Sequence, residues 1–108
     1  MSDQVVNVFP ILRNDLNLRT YDKLYINLEE QYEHPDDDNY IRNKIHNMSI
    51  SVIKNAKLNR KTVAWCIPNK DIVEHLVNGL KNNFPDTQFK VYLPGSKDPR
   101  THIRAFWS

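Results

Sequence analysis

Between residues 62 and 93 the hydrophobic pattern changes its period twice. Residues 62–67 are apolar on both alternating sets of positions, residues 72–84 carry apolar side chains at helical spacing, and residues 89–93 alternate again. These periods are typical of a strand, a helix and a second strand, and the stretch is long enough for a crossover between parallel strands. We therefore expect a C-terminal strand–helix–strand unit, whose first strand is central and covered on both faces.

Residues that favour caps and turns mark the boundaries of this unit. Pro68 ends the first strand, Asn69 is a good N-cap for the helix, and Pro85 stops the helix. Gly79 lies inside the helix, where it costs about 1 kcal/mol relative to alanine. We expect Gly79 to let the helix approach the sheet closely.

A second helix precedes the unit. Apolar residues within 41–56 recur at spacings of three and four, which predicts an amphipathic helix of about 18 residues that ends near Lys57. Asn59 suits a left-handed stop after it. The acidic triplet at residues 36–38 is interpreted as N-terminal capping charge rather than as a divalent-cation site, because its spacing is not that of a calcium loop.

The remaining segments are less regular. Residues 5–12 are apolar but contain Pro10, which fits an edge strand or an extended arm. Residues 13–20 read as a polar turn, and residues 21–31 fit both strand and helix periods, with β-branched and aromatic content favouring a strand. Residues 101–107 alternate as a last strand, with Ile103, Ala105 and Trp107 on one face and His102, Arg104 and Phe106 on the other.

Together these elements predict one α/β domain over residues 1–108, with about four or five strands and two main helices packed on the sheet. Residues 1–20 would be an N-terminal arm or an edge strand. The single cysteine, Cys66, excludes an internal disulfide, and its mid-strand position predicts a buried, unreactive thiol. The four histidines lack metal-ligand spacing. We predict no catalytic residue, metal site or cofactor.

Targeting signals are not apparent in the sequence. Neither a signal peptide nor an apolar run of the roughly 20 residues that span a bilayer is present. We expect a protein of a reducing, cytoplasmic compartment with no membrane contact. The sequence is rich in Asn, Ile and Lys and poor in Ala and Gly, which indicates A/T-rich codons and favours a virus, a phage or another low-GC source.

Charge is distributed unevenly along the chain. Residues 1–38 carry nine acidic and three basic side chains, whereas residues 39–108 carry four acidic and twelve basic ones. Such asymmetry is typical of a nucleic-acid or anionic-surface binder, although helix dipoles also favour acids before a helix and bases near its end. The basic segment 42–70 is the candidate nucleic-acid site, through Arg42, Lys44, Lys54, Lys57, Arg60 and Lys61.

Two further patterns suggest ligand sites. If the strands at 62–67 and 88–93 are parallel, their carboxyl ends share one edge of the sheet, where α/β proteins bind ligands. Donors near that edge predict a corner for a phosphate-bearing ligand, unless it is a plain structural corner. The corner residues are Asn69, Lys70, Ser96, Lys97 and Arg100. Separately, Tyr92 and Phe106 occur on strands with Lys90 and Arg104, a mixture that either stacks nucleic-acid bases or belongs to a half-covered sheet face.

The leading functional hypothesis is a non-enzymatic binding or assembly module, acting through protein–protein contacts with a partner protein or a second copy. Sheet-edge pairing and the apolar segments near the termini would make those contacts. The first alternative is a nucleic-acid-binding protein that uses the basic segment 42–70. The second alternative is a small enzyme or sensor that binds a phosphate-bearing ligand at the corner formed by residues 69–71 and 94–100.

Overall fold

The computed structural model describes residues 10–18, 32, 34–95 and 100–108. Within them the chain forms three α-helices, one short 3-10 helix and three strands. Their bounds are α1 Arg13–Leu18, α2 Tyr40–Lys57, β1 Thr62–Ile67, the 3-10 helix Lys70–Ile72, α3 Val73–Asn83, β2 Gln88–Tyr92 and β3 Thr101–Phe106.

The three described strands form one sheet in the order β1–β3–β2, and both pairings are antiparallel. The predicted mixture of helices and sheet is confirmed, but the described residues form three strands rather than four or five. Strands β1 and β2 run in the same direction, as the strand–helix–strand unit requires, yet β3 lies between them. The crossover through α3 therefore leaves a gap one strand wide between β1 and β2, and β3 fills that gap.

The position of strand β1 in the sheet differs from the predicted one. It lies at an edge of the described sheet, and its residues Ala64 and Cys66 are exposed. The prediction of a central strand covered on both faces is therefore wrong. The apolar residues on its uncovered side are small or weakly hydrophobic, so leaving them in water costs less than leaving a large aliphatic side chain there.

The helices pack on one face of the sheet. Ile103, Ala105 and Trp107 point toward them and are fully buried, whereas the alternate residues of β3 are half-buried. This alternation confirms the two predicted faces of the last strand. The same core contains helix residues from α2 and α3, namely Val52, Ile53, Ala56, Leu76 and Leu80.

Helix α2 confirms the prediction from the apolar stripe. It ends at Lys57, and Asn59 adopts the left-handed conformation with φ 63°. The acidic triplet does not cap it, because the N-cap position is Asn39 and no side chain makes a capping hydrogen bond there. Instead, the Asp37 carboxylate accepts a hydrogen bond of 2.8 Å from the Asn39 N–H and closes the preceding turn.

The 3-10 helix that leads into α3 confirms one prediction, and the glycine within α3 corrects another. The Asn69 side chain accepts a hydrogen bond of 2.9 Å from the Asp71 N–H, as expected of a cap. A Cβ atom at Gly79 would lie 2.9 Å from Ile45 Cγ1. Gly79 therefore allows close contact between α3 and α2, not between α3 and the sheet.

Helix α1 occupies residues where a polar turn was predicted. Leu16 is buried in the core, the Arg13 N–H donates to Asp86 Oδ1 at 2.6 Å, and the Ile11 N–H donates to the Asn83 carbonyl at 2.7 Å. These contacts dock α1 on the turn between α3 and β2. Of the predicted N-terminal strand, residues 5–9 lie outside the described part, as does the ambiguous segment 21–31, and the described residues 10–12 are not a strand.

No helix among the described residues has both the length and the apolar character that a bilayer crossing demands.

Candidate functional site

The side of the sheet that faces away from the helices is uncovered by any described element. Side chains alternate between the two sides of a strand, so the half-buried residues of β3 lie on this side. The pairing register then identifies their neighbours on β1 and β2. We call this surface the open face. Its nine residues form three rows across the sheet: Cys66, His102 and Tyr92; Ala64, Arg104 and Lys90; Thr62, Phe106 and Gln88.

The middle row of the open face places two cations side by side. Arg104 and Lys90 are direct partners on adjacent antiparallel strands, and like charges in that position are destabilising. No acidic side chain occurs among the nine residues of the open face to offset them. An anion bound beside this row would reduce the repulsion between the two cations.

Aromatic rings lie on both sides of that cationic row. The Tyr92 side chain is 45% exposed, and Lys90 Nζ lies 5.3 Å from the centroid of the Phe106 ring. The backbone positions of rows two residues apart on a strand are separated by about 7 Å, so the row with the two cations lies between a row with a phenol and a row with a phenyl ring.

A shallow depression lies at the middle of the open face. It is lined by Ala64, Tyr92, His102, Arg104 and Phe106. The methyl side chain of Ala64 leaves room beside the guanidinium that a larger residue would fill. A flat ring can lie in this depression with its face against an aromatic or guanidinium plane.

The basic residues predicted to bind nucleic acid do not join the open face. Arg42, Lys54 and Lys57 are exposed and Lys44 is half-buried on α2, and α2 packs on the opposite side of the sheet. The two basic residues of the following loop hydrogen-bond to asparagine side chains. Arg60 Nη1 donates to Asn55 Oδ1 at 3.0 Å, and Lys61 Nζ donates to Asn17 Oδ1 at 2.6 Å.

The described part of the predicted phosphate corner carries mixed charge. The carboxyl ends of β1 and β2 lie at the same end of the sheet, and the exposed Lys70 lines a groove between α3 and β2. Asp71, Glu74 and Lys81 line the same groove, so an anion bound there would meet two carboxylates as well as two ammonium groups. Ser96 and Lys97 lie outside the described residues, Asn69 is engaged as a cap, and the exposed Arg100 lies just before β3.

Cys66 lies in an environment that the sequence reading missed. The thiol was predicted to be buried, but it is exposed on the open face, directly opposite His102. The missed signal was the alternation within residues 62–66, whose even-numbered members are Thr, Ala and Cys. Among the described residues, no three histidine, cysteine, aspartate or glutamate side chains converge as a metal site would require.

No family model, curated protein or solved structure matches this chain.

Proposed function

We propose that this protein binds single-stranded nucleic acid on the open face of its sheet. The observation that carries the proposal is the adjacent pair Lys90 and Arg104, flanked by Tyr92 and Phe106 on a face whose nine described residues include no acidic side chain. Aromatic rings combined with a positively charged surface form the general platform on which proteins hold unpaired bases and their backbone.

The phosphates and the bases of a single-stranded nucleic acid each have a counterpart on the open face. Phosphate oxygens would accept hydrogen bonds from the Arg104 guanidinium and the Lys90 ammonium. Bases would stack on the Tyr92 ring and in the depression beside Ala64. A duplex fits this surface poorly, because its bases are already stacked and a sheet face presents no element that enters a groove.

A protein-binding role fits the same face less well. The buried centre of protein interfaces is depleted of charged residues, whereas the centre of the open face is occupied by two like charges. The assembly module that the sequence favoured therefore stays a prediction.

The test is fluorescence anisotropy with a labelled single-stranded oligonucleotide of about 10 nucleotides, within the usual site sizes of such proteins. Tyr92→Leu is expected to weaken binding by about 5- to 150-fold, which corresponds to the loss of one stacked base. Arg104→Gln is expected to weaken binding and to lower the salt dependence by about one phosphate contact. Circular dichroism of each variant checks that the sheet is intact.

Lys57→Gln is the matched control for charge. It removes one exposed cation from α2, on the other side of the sheet, and should leave the affinity nearly unchanged. Equal losses for Lys57→Gln and Arg104→Gln would transfer the site to the basic segment 42–70. Binding that is absent at low salt, or equally tight to duplex, would contradict the proposal.

A further inference from the structure

The rows of the open face are too far apart for bases bound on them to stack on one another. Tyr92 belongs to the first row and Phe106 to the third, with Arg104 and Lys90 in the row between. Adjacent rows are about 7 Å apart along the strands, whereas consecutive bases stacked in a helical strand are about 3.4 Å apart. A single strand that places a base on each of the two rings must therefore leave its stacked conformation.

The cations of the middle row favour the same extended path. Lys90 Nζ lies 5.3 Å from the centroid of the Phe106 ring, and Arg104 is the direct partner of Lys90 on β3. Positive charge thus lies between the two rows that carry rings, where the phosphates connecting two bound bases would accept hydrogen bonds. In a stacked strand, by contrast, the faces of the inner bases are already covered by their neighbours.

We propose that the open face selects pyrimidine-rich single strands, an inference that rests on the proposed function. Every base has a π-face that can stack on a protein ring, so the rings alone discriminate little among the bases. Strands differ instead in the cost of extension, because adenines stack strongly on one another and thymines or uracils stack weakly. Differences in stacking strength and backbone flexibility give single-strand binders modest preferences without hydrogen bonds to base edges.

Fluorescence anisotropy with two homopolymers tests this preference. The probes are labelled strands of about 10 thymidines and of about 10 deoxyadenosines, measured at one salt concentration so that the electrostatic contribution is equal. The thymidine strand is expected to bind about three- to tenfold more tightly. The difference should narrow on heating, because a higher temperature unstacks the adenine strand before it binds.

Removal of one ring tests the origin of the preference. With a single ring left, the strand no longer has to extend between two rows, so Tyr92→Leu and Phe106→Leu should each bind the two probes with more nearly equal affinity. Lys57→Gln removes a cation of α2 on the other side of the sheet and should retain the full preference. Circular dichroism checks that each variant keeps its fold.

Failure of this inference is distinguishable from failure of the proposed function. Equal affinity of the wild-type protein for the two probes, or tighter binding of the adenine strand, overturns the preference and leaves single-strand binding standing. A preference that persists unchanged in both ring variants also overturns it, because the bases would then be distinguished elsewhere on the chain. Absence of binding to either probe at low salt contradicts the proposed function, and the preference with it.

Discussion

Thr87 carries a buried hydroxyl whose energetic role can be measured. The residue is 5% exposed, and Thr87 Oγ1 has no hydrogen-bond partner within the described structure. Because an unsatisfied buried hydroxyl is destabilising, Thr87→Val should raise the free energy of unfolding by about 1 kcal/mol. Urea denaturation followed by circular dichroism measures the change.

Thr87→Ser serves as the control for this change. It retains the hydroxyl but removes the buried methyl group, so its unfolding free energy should fall by about 1 kcal/mol. A loss of stability in Thr87→Val would show that the hydroxyl has a partner that stabilises it.

Ala64 and Cys66 show that the type of a residue does not determine whether its side chain is buried. Both were assigned to a buried strand because residues 62–67 are apolar on both alternating sets. A methyl or thiol group loses little when it stays in water, so its burial depends on the layer that covers it. That layer is a property of the whole fold, and hydrophobic period alone does not reveal it.

Helices α2 and α3 meet at a contact that only glycine permits. A Cβ atom at Gly79 would approach Ile45 Cγ1 to 2.9 Å and Cγ2 to 3.1 Å, and a β-branched side chain in a helix has little rotamer freedom with which to move away. We expect Gly79→Ala to lower the free energy of unfolding by about 1–3 kcal/mol through overpacking, despite the better helix propensity of alanine.

The double variant Gly79→Ala with Ile45→Ala tests this cause. Removing the Ile45 side chain eliminates the clash, so the two substitutions should be less destabilising together than the sum of their separate effects. Additive losses in urea denaturation would show that the Gly79 effect has another origin.

The elements themselves could be predicted better than their arrangement. The apolar stripe predicted α2 with its end near Lys57, and the alternation in residues 101–107 predicted which side chains share each face of β3. Helix α1 was missed because its six residues include two asparagines, which favour turns, and because it is held by Asp86, a residue distant in sequence. The insertion of β3 between β1 and β2 was missed because strand pairing is not local.

The same limit applies to the candidate site. Tyr92, Phe106, Lys90 and Arg104 were identified from sequence as an aromatic and basic mixture, but their adjacency depends on the pairing of β2 with β3. Ala64, Cys66 and His102 belong to the same surface only because β1 and β2 both pair with β3. Local periodicity therefore indicates which side chains share a face of one strand, and topology decides which strands complete the surface.

For the molecule as a whole, Trp107 joins three separate segments. Its side chain is fully buried, its Nε1–H donates to the Arg60 carbonyl at 2.9 Å, and its own carbonyl accepts a hydrogen bond of 2.6 Å from Asn17 Nδ2. Trp107→Phe should lower the free energy of unfolding by about 1–3 kcal/mol, through lost volume and a lost hydrogen bond.

Trp65→Phe is the matched control because the other tryptophan is only half-buried on β1. Its loss of stability in urea denaturation should be clearly smaller. Similar losses for the two variants would mean that the contacts of Trp107 with α1 and with the loop before β1 add no stability of their own.

The position of β3 in the sheet also has a consequence during synthesis. The ribosome completes β1, α3 and β2 before it makes residues 101–106, so in the described sheet neither earlier strand has its partner until β3 has emerged. At about 5–20 residues per second, the delay between the end of β2 and the end of β3 is on the order of a second. Any part of β1 that has already left the ribosome stays without its sheet partner through this interval, and an unpaired strand edge is open to chaperones and to neighbouring nascent chains. The strand that pairs with both others is therefore the last of the three to become available.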